Sequence, residues 1–144
     1  MDIGFQFEVI YKAYDMLQVR ISAWNGAFGG IADVYVGIGR LEEVAAALKG
    51  FPKNPSDTRE VTLGAFGPES AGGGVSMRFY CADASGHAYV QSKLESESLP
   101  SKPIQTVMLS LPIEAVAVDL FVDELRLLGV RKSGVARLRG REAT

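Results

Sequence analysis

Cys81 and His87 are the only cysteine and the only histidine in the 144-residue chain. A thiol beside an imidazole is the arrangement of a cysteine nucleophile, because the ring can take the thiol proton. Here the two residues flank one turn, and the register argued below sends their side chains to opposite faces. One histidine also excludes the HExxH zinc motif and any site needing two histidine ligands. Gly37-Ile38-Gly39 precedes a helical segment, but Glu42 stands where a dinucleotide loop carries its third glycine. Ser70 sits in Gly-Pro-Glu-Ser-Ala-Gly, which is not a nucleophile elbow. Three carboxylate pairs occur: Glu42 with Glu43, Glu95 with Glu97, and Asp119 with Asp123. With further ligands any of them can hold a divalent cation. A solvated helix face or strand end is the commoner reason for such pairs. No metal and no cofactor are expected.

The elements that position these residues start from one hairpin, Gly74 to Leu94. Val75, Met77, Phe79 and Cys81 alternate with Ser76, Arg78 and Tyr80. Beyond the turn, Ala88, Val90, Ser92 and Leu94 alternate with His87, Tyr89, Gln91 and Lys93. A period of two means one buried face and one outward face. With Asp83-Ala84-Ser85-Gly86 as the loop, Gly86 takes the positive φ such loops need. Phe79 then faces Val90 and Cys81 faces Ala88 on the inside, while Tyr80 faces Tyr89 and Arg78 faces Gln91 on the outside. Both faces agree in a single register. Cys81 is thereby expected to be an inward, hydrophobe-like residue.

The same alternation predicts strands at Phe5–Tyr11, Leu17–Ala23, Ala32–Ile38, Val61–Ala65 and Val107–Leu111. Leu41, Val44, Ala45, Leu48 and Phe51 share one helical face, and Gly50 and Pro52 stop that helix. Pro112 fits the first turn of a second helix. Its expected buried stripe is Ile113, Val116, Ala117, Leu120, Phe121, Leu127 and Leu128, with Gly129 at its end. Val118, Val122 and Leu125 widen the apolar surface, so a second contact or deep packing is expected. The order βββ-α-ββββ-α with short connections predicts an α+β fold: one antiparallel sheet of about seven strands with two packed helices.

A chain that is 47% hydrophobic is not disordered, and none of its apolar runs approaches a membrane span. The first residues, MDIGFQFEV, show no secretory signal, and with a single cysteine this points to the cytoplasm. Residues 1–128 hold 10 basic and 16 acidic side chains. They are read as a single acidic domain, which argues against nucleic-acid binding by the folded body. Residues 129–144 hold five basic side chains and one acidic one, and read as a solvated basic tail.

Three stretches carry a resemblance: FQFEVIYKAYDMLQVRISAWNG, VYVGIGRLEEVAAALKGF and SMRFYCADASGHAYVQSKL. Together with the C-terminal helix they resemble bacterial immunity proteins of the WapI type and related uncharacterised domain families. The resemblance implies a protein that binds and neutralises a partner protein, often a toxin encoded nearby.

The expected function is therefore a non-enzymatic protein-binding module. Its candidate binding residues are Arg78, Tyr80, His87, Tyr89, Gln91 and Lys93, on the outward face of the hairpin. Tyrosine and arginine favour interfaces because they bury area and still hydrogen-bond. A solvated sheet with cross-strand tyrosine pairs accounts for the same residues without a partner. Trp24, beside Asn25-Gly26, is either a second anchor or a core residue. The alternative function is a small-molecule-binding or enzymatic domain with its site in a sheet–helix cleft. A fold that needs no metal keeps its melting temperature in a chelator. A fall of several degrees would reveal a structural ion, because metal binding energy there is folding energy.

Overall fold

The computed structural model describes residues 1–142. Along the chain run β1 (Gly4–Lys12), β2 (Met16–Trp24), β3 (Gly29–Gly37), α1 (Arg40–Leu48) and β4 (Thr58–Gly64). Then follow β5 (Gly74–Cys81), β6 (Ala88–Glu95), β7 (Thr106–Ile113), α2 (Ala115–Arg131) and β8 (Val135–Arg139). The α+β class and the antiparallel pairing hold. The single seven-stranded sheet does not: the strands form two four-stranded sheets, β3-β2-β1-β8 and β4-β5-β6-β7. No helix among the described residues is long and apolar enough to cross a membrane.

The eighth strand comes from the stretch read as a basic tail. Val135, Arg137 and Arg139 alternate with Ala136 and Leu138, and both intervening residues are fully buried. β8 pairs with β1 from Gly4 opposite Arg139 to Glu8 opposite Val135. The period of two is present in the sequence, but Arg137, Arg139 and Arg141 also fit a solvated tail. α2 also runs through Gly129 rather than ending there, and turns at Lys132, which adopts a left-handed conformation.

Each sheet turns one face into a common core that includes Phe5, Phe7, Ile21, Leu63, Phe79, Leu111 and Phe121. The edge strand of each sheet runs across the strand ends of the other. β3 meets the loop before β5 where the Gly73 N–H donates to the Asp33 carbonyl. β7 crosses the ends of the first sheet, where the Asn25 side chain reaches the Ser110 carbonyl and the Arg141 N–H reaches the Pro112 carbonyl. The two sheets are thus bonded to one another at their margins. The helices complete the core, with Phe121 edge-on to Phe7 at 5.3 Å and Phe51, just beyond α1, edge-on to Phe79 at 5.7 Å.

Pro112 lies in β7, opposite Tyr89, and not in the first turn of a helix. β7 is an edge strand, and the Pro112 carbonyl points outward to Arg141. An N–H at that residue would point the same way, so the ladder to β6 loses no donor. The buried face of α2 is also rotated from the expected one. Val118, Phe121, Val122, Leu125, Leu128 and Gly129 are buried, whereas Val116, Leu120 and Leu127 are exposed. A helix apolar on almost every side does not choose its own face. Packing against α1 chooses it, because Gly129 admits the Glu42 side chain where a Cβ would collide.

All four sheet edges receive hydrogen bonds from outside their own sheets. β3 takes its bond from Gly73 and β7 from Asn25 and Arg141; Arg40 donates to the Thr62 carbonyl of β4. On β8, Glu124 of α2 accepts from the Arg137 N–H at 2.8 Å. Bonds of this kind to a charged group contribute about 1.5–3 kcal/mol. Glu124→Ala is therefore expected to destabilise the fold by roughly 1–2 kcal/mol, less than that range because the carboxylate is partly solvated. Glu124→Gln, which keeps an acceptor, should cost less. Urea unfolding midpoints at constant slope measure both, and equal stability of all three proteins would show that the edge needs no cap.

Candidate functional site

The hairpin register is the one the alternation predicts. Phe79 pairs with Val90, Cys81 with Ala88, Tyr80 with Tyr89 and Arg78 with Gln91. Phe79, Val90 and Leu94 are buried, Arg78, His87 and Gln91 are exposed, and Tyr80, Tyr89 and Lys93 are half-buried. Gly86 has φ 80°, the left-handed value the loop needs. Cys81 is half-buried rather than fully inside, at the sheet's end. Burial, then the charges of Asp57 and Asp83, push its thiol above the ordinary value, which disfavours the thiolate a nucleophile needs.

The outer face of the second sheet reads as three rows across its strands. They are Thr58–Tyr80–Tyr89–Pro112, Glu60–Arg78–Gln91–Ser110 and Thr62–Ser76–Lys93–Met108. In the first row the Tyr80 and Tyr89 rings stack, with centroids 5.9 Å apart and planes 22° from parallel. The Arg78 guanidinium sits 4.8 Å from the Tyr80 centroid and 3.7 Å from Glu60. Lys93 lies 4.8 Å from the ring of Phe66, in the loop that folds over this corner. Its backbone N–H at Gly67 is fixed to the Glu95 carboxylate at 2.7 Å. Ser76, small and central, leaves a shallow depression of about 300 Å³ that Arg78, Gln91, Lys93 and Met108 border. Neither helix covers the face, where Met108 is 64% exposed.

The structure thus brings together Arg78, Tyr80, Tyr89, Gln91 and Lys93. His87 stands apart at the turn, its Nδ1 2.6 Å from the Asp83 carboxylate, which also accepts from the Ser85 N–H. Glu60, Phe66 and Met108 belong to the face as well. The alternation of Glu60 and Met108 is readable in β4 and β7, whereas Phe66 comes from the loop beyond β4, which carries no such signal. Trp24 is no core residue: it lies half-buried on the outer face of the first sheet. Asp119 and Asp123 line an open groove of about 610 Å³ between the helices, where Lys49 and Arg126 also sit. Among the described residues no group of three His, Cys, Asp or Glu side chains converges as metal ligands do. The groove between α2 and β8 measures about 240 Å³, below the roughly 300–1,000 Å³ of ligand pockets.

No family model matches the chain, and no curated protein or solved structure matches it.

The hydrogen bond from His87 holds the Asp83 carboxyl below its ordinary value of 3.8. A carboxylate lowered in this way stabilises the turn fully above its unfolded value, and that contribution is lost as pH falls through the folded one. Carboxyl-carbon NMR should find Asp83 titrating below 3.8, and His87→Ala should move the midpoint upward. A midpoint at the ordinary value in the wild-type protein would show that the His87 contact is not populated in solution.

Proposed function

We propose that this protein is a non-enzymatic protein-binding module that docks its partner on the outer face of the β4–β7 sheet. One observation carries the reading: Arg78, Tyr80 and Tyr89 are already stacked in register on an uncovered sheet. Aromatic and arginine side chains held before binding lose little rotamer freedom when a partner arrives. They are also the types that dominate interface energetics. The flanking rim is polar, with Gln91, Lys93, Thr62 and Glu60, and Met108 adds an adaptable apolar contact. The groove between α2 and β8, at about 240 Å³, gives the alternative of a small-molecule or enzymatic site in a sheet–helix cleft little support.

The sharper form of the proposal is an immunity role, in which the partner is a toxin encoded beside this chain. It draws on the resemblance of the hairpin and its flanking stretches to immunity proteins of the WapI type. The natural probes are the purified products of the adjacent genes, titrated calorimetrically.

Tyr80→Ala and Tyr89→Ala should each cost about 2 kcal/mol of binding, roughly thirtyfold in affinity. Their folding stability should fall by only about 0.2–1 kcal/mol, the worth of a cross-strand pair. Wild-type affinity in both variants would make the face structural. Failure of every neighbouring product to bind the wild-type chain would remove the immunity role.

A further inference from the structure

The first sheet has an outer face too, and its composition differs from that of the second. At one end Trp24 lies between Gly4 on β1 and Gly29 on β3. Two glycines flank the indole, so neither neighbour adds a side chain beside it, and the ring itself packs against Gly29. Gly4 has φ 138°, and a Cβ there would collide with the Leu138 carbonyl; one at Gly29 would crowd the Trp24 ring. Neither position accepts a side chain without rearrangement, so their absence is built into the backbone. The next row is Ile31, Ser22, Gln6 and Arg137. Its small member, Ser22, is 9% exposed and lies in the floor. The result is an open cleft of about 790 Å³, within the size range of small-molecule sites.

Charge distinguishes this hollow. Arg137 and Arg139 project outward from β8, two positions apart and so about 7 Å apart along the strand. Both are exposed and both line the cleft. The protein's ion pairs use Arg20, Arg59, Arg78 and Arg141; among the described residues, the guanidinium groups of Arg137 and Arg139 form no ion pair, and Arg137 meets Glu124 only through its backbone N–H. Asp2 is the one acidic residue on the lining, against two arginines. Trp24 and Ile31, the latter 62% exposed, thus face the two guanidinium groups across a floor of Ser22 and Gln6.

We infer that this cleft binds a flat organic anion, its ring against Trp24 and Ile31 and its carboxylate or phosphate group held by Arg137 and Arg139. Guanidinium groups take both head groups through charge-assisted, paired hydrogen bonds. The ring supplies apolar contact and a stacking surface for the indole. This site is separate from the face of the β4–β7 sheet, and its failure would leave that proposal standing.

Trp24 is the chain's single tryptophan, so its fluorescence reports on this cleft alone. The probe is the aromatic anion anilinonaphthalene sulfonate, with N-phenylnaphthylamine as its uncharged counterpart. The expected result is saturable quenching of Trp24 by the anion, with the neutral dye binding at least tenfold more weakly. Arg137→Ala with Arg139→Ala should also weaken the anion at least tenfold. The backbone bond from residue 137 to Glu124 survives that change, and a circular dichroism melt verifies the fold. Naphthyl phosphate and naphthoate then compete for the dye, and displacement by either one supports the site while identifying its head group. Equal binding of charged and neutral dyes overturns the inference, as does undiminished binding to the double variant. So does dye binding without Trp24 quenching, or displacement by neither competitor.

Discussion

An unpaired strand edge is the hazard every open sheet carries, and this fold meets it by making each sheet close the other. A strand at the margin presents a row of free N–H and C=O groups, and burying them unpaired costs free energy. Here β3 and β7, the margins of different sheets, lie across the strand ends of the opposite sheet and are bonded there. The remaining margins, β4 and β8, are met by Arg40 and by Glu124 of α2. The two sheets thus cap one another at β3 and β7. Their inner faces then enclose one core, and the helices fill the space between.

That closure leaves two outer faces with different characters. The face of β4–β7 is a continuous plane of side chains, stacked at Tyr80 and Tyr89, with an arginine over one ring. It can present a fixed surface because cross-strand neighbours hold one another's rotamers. The face of β3-β2-β1-β8 is interrupted, because Gly4, Gly29 and Ser22 withhold side chains around Trp24. The first is the face proposed for a protein partner, the second the one inferred for a small anion. The difference rests on which residues occupy the outward register positions, since the backbone of both sheets is the same kind of ladder.

α2 shows how a local pattern can underdetermine packing. Its apolar residues cover so much of its circumference that hydrophobicity alone permits several buried faces. The choice falls to close approach. Gly129 lets α1 come near enough for Glu42 to lie against it, and that contact turns Val118, Val122 and Leu125 inward. The cost is visible in the same place, where one Glu42 carboxylate oxygen is buried without a hydrogen-bond partner.

The sequence by itself determined seven of the eight strands, the antiparallel class and the complete register of the β5–β6 hairpin. Alternation and turn residues are local, and a one-residue slip would have reversed every face at once. It also determined which side chains of Tyr80, Tyr89, Arg78 and Gln91 stand opposite one another. Only the tertiary structure decided that eight strands divide between two sheets, because strand partners distant in the chain leave no local mark. The alternation around Arg137 and Arg139 names no partner strand; that it pairs with β1, 131 residues away from Arg137 to Gln6, is a tertiary fact. That pairing turned a charged terminus into one wall of a cleft whose other wall, around Trp24, lies in a different part of the chain.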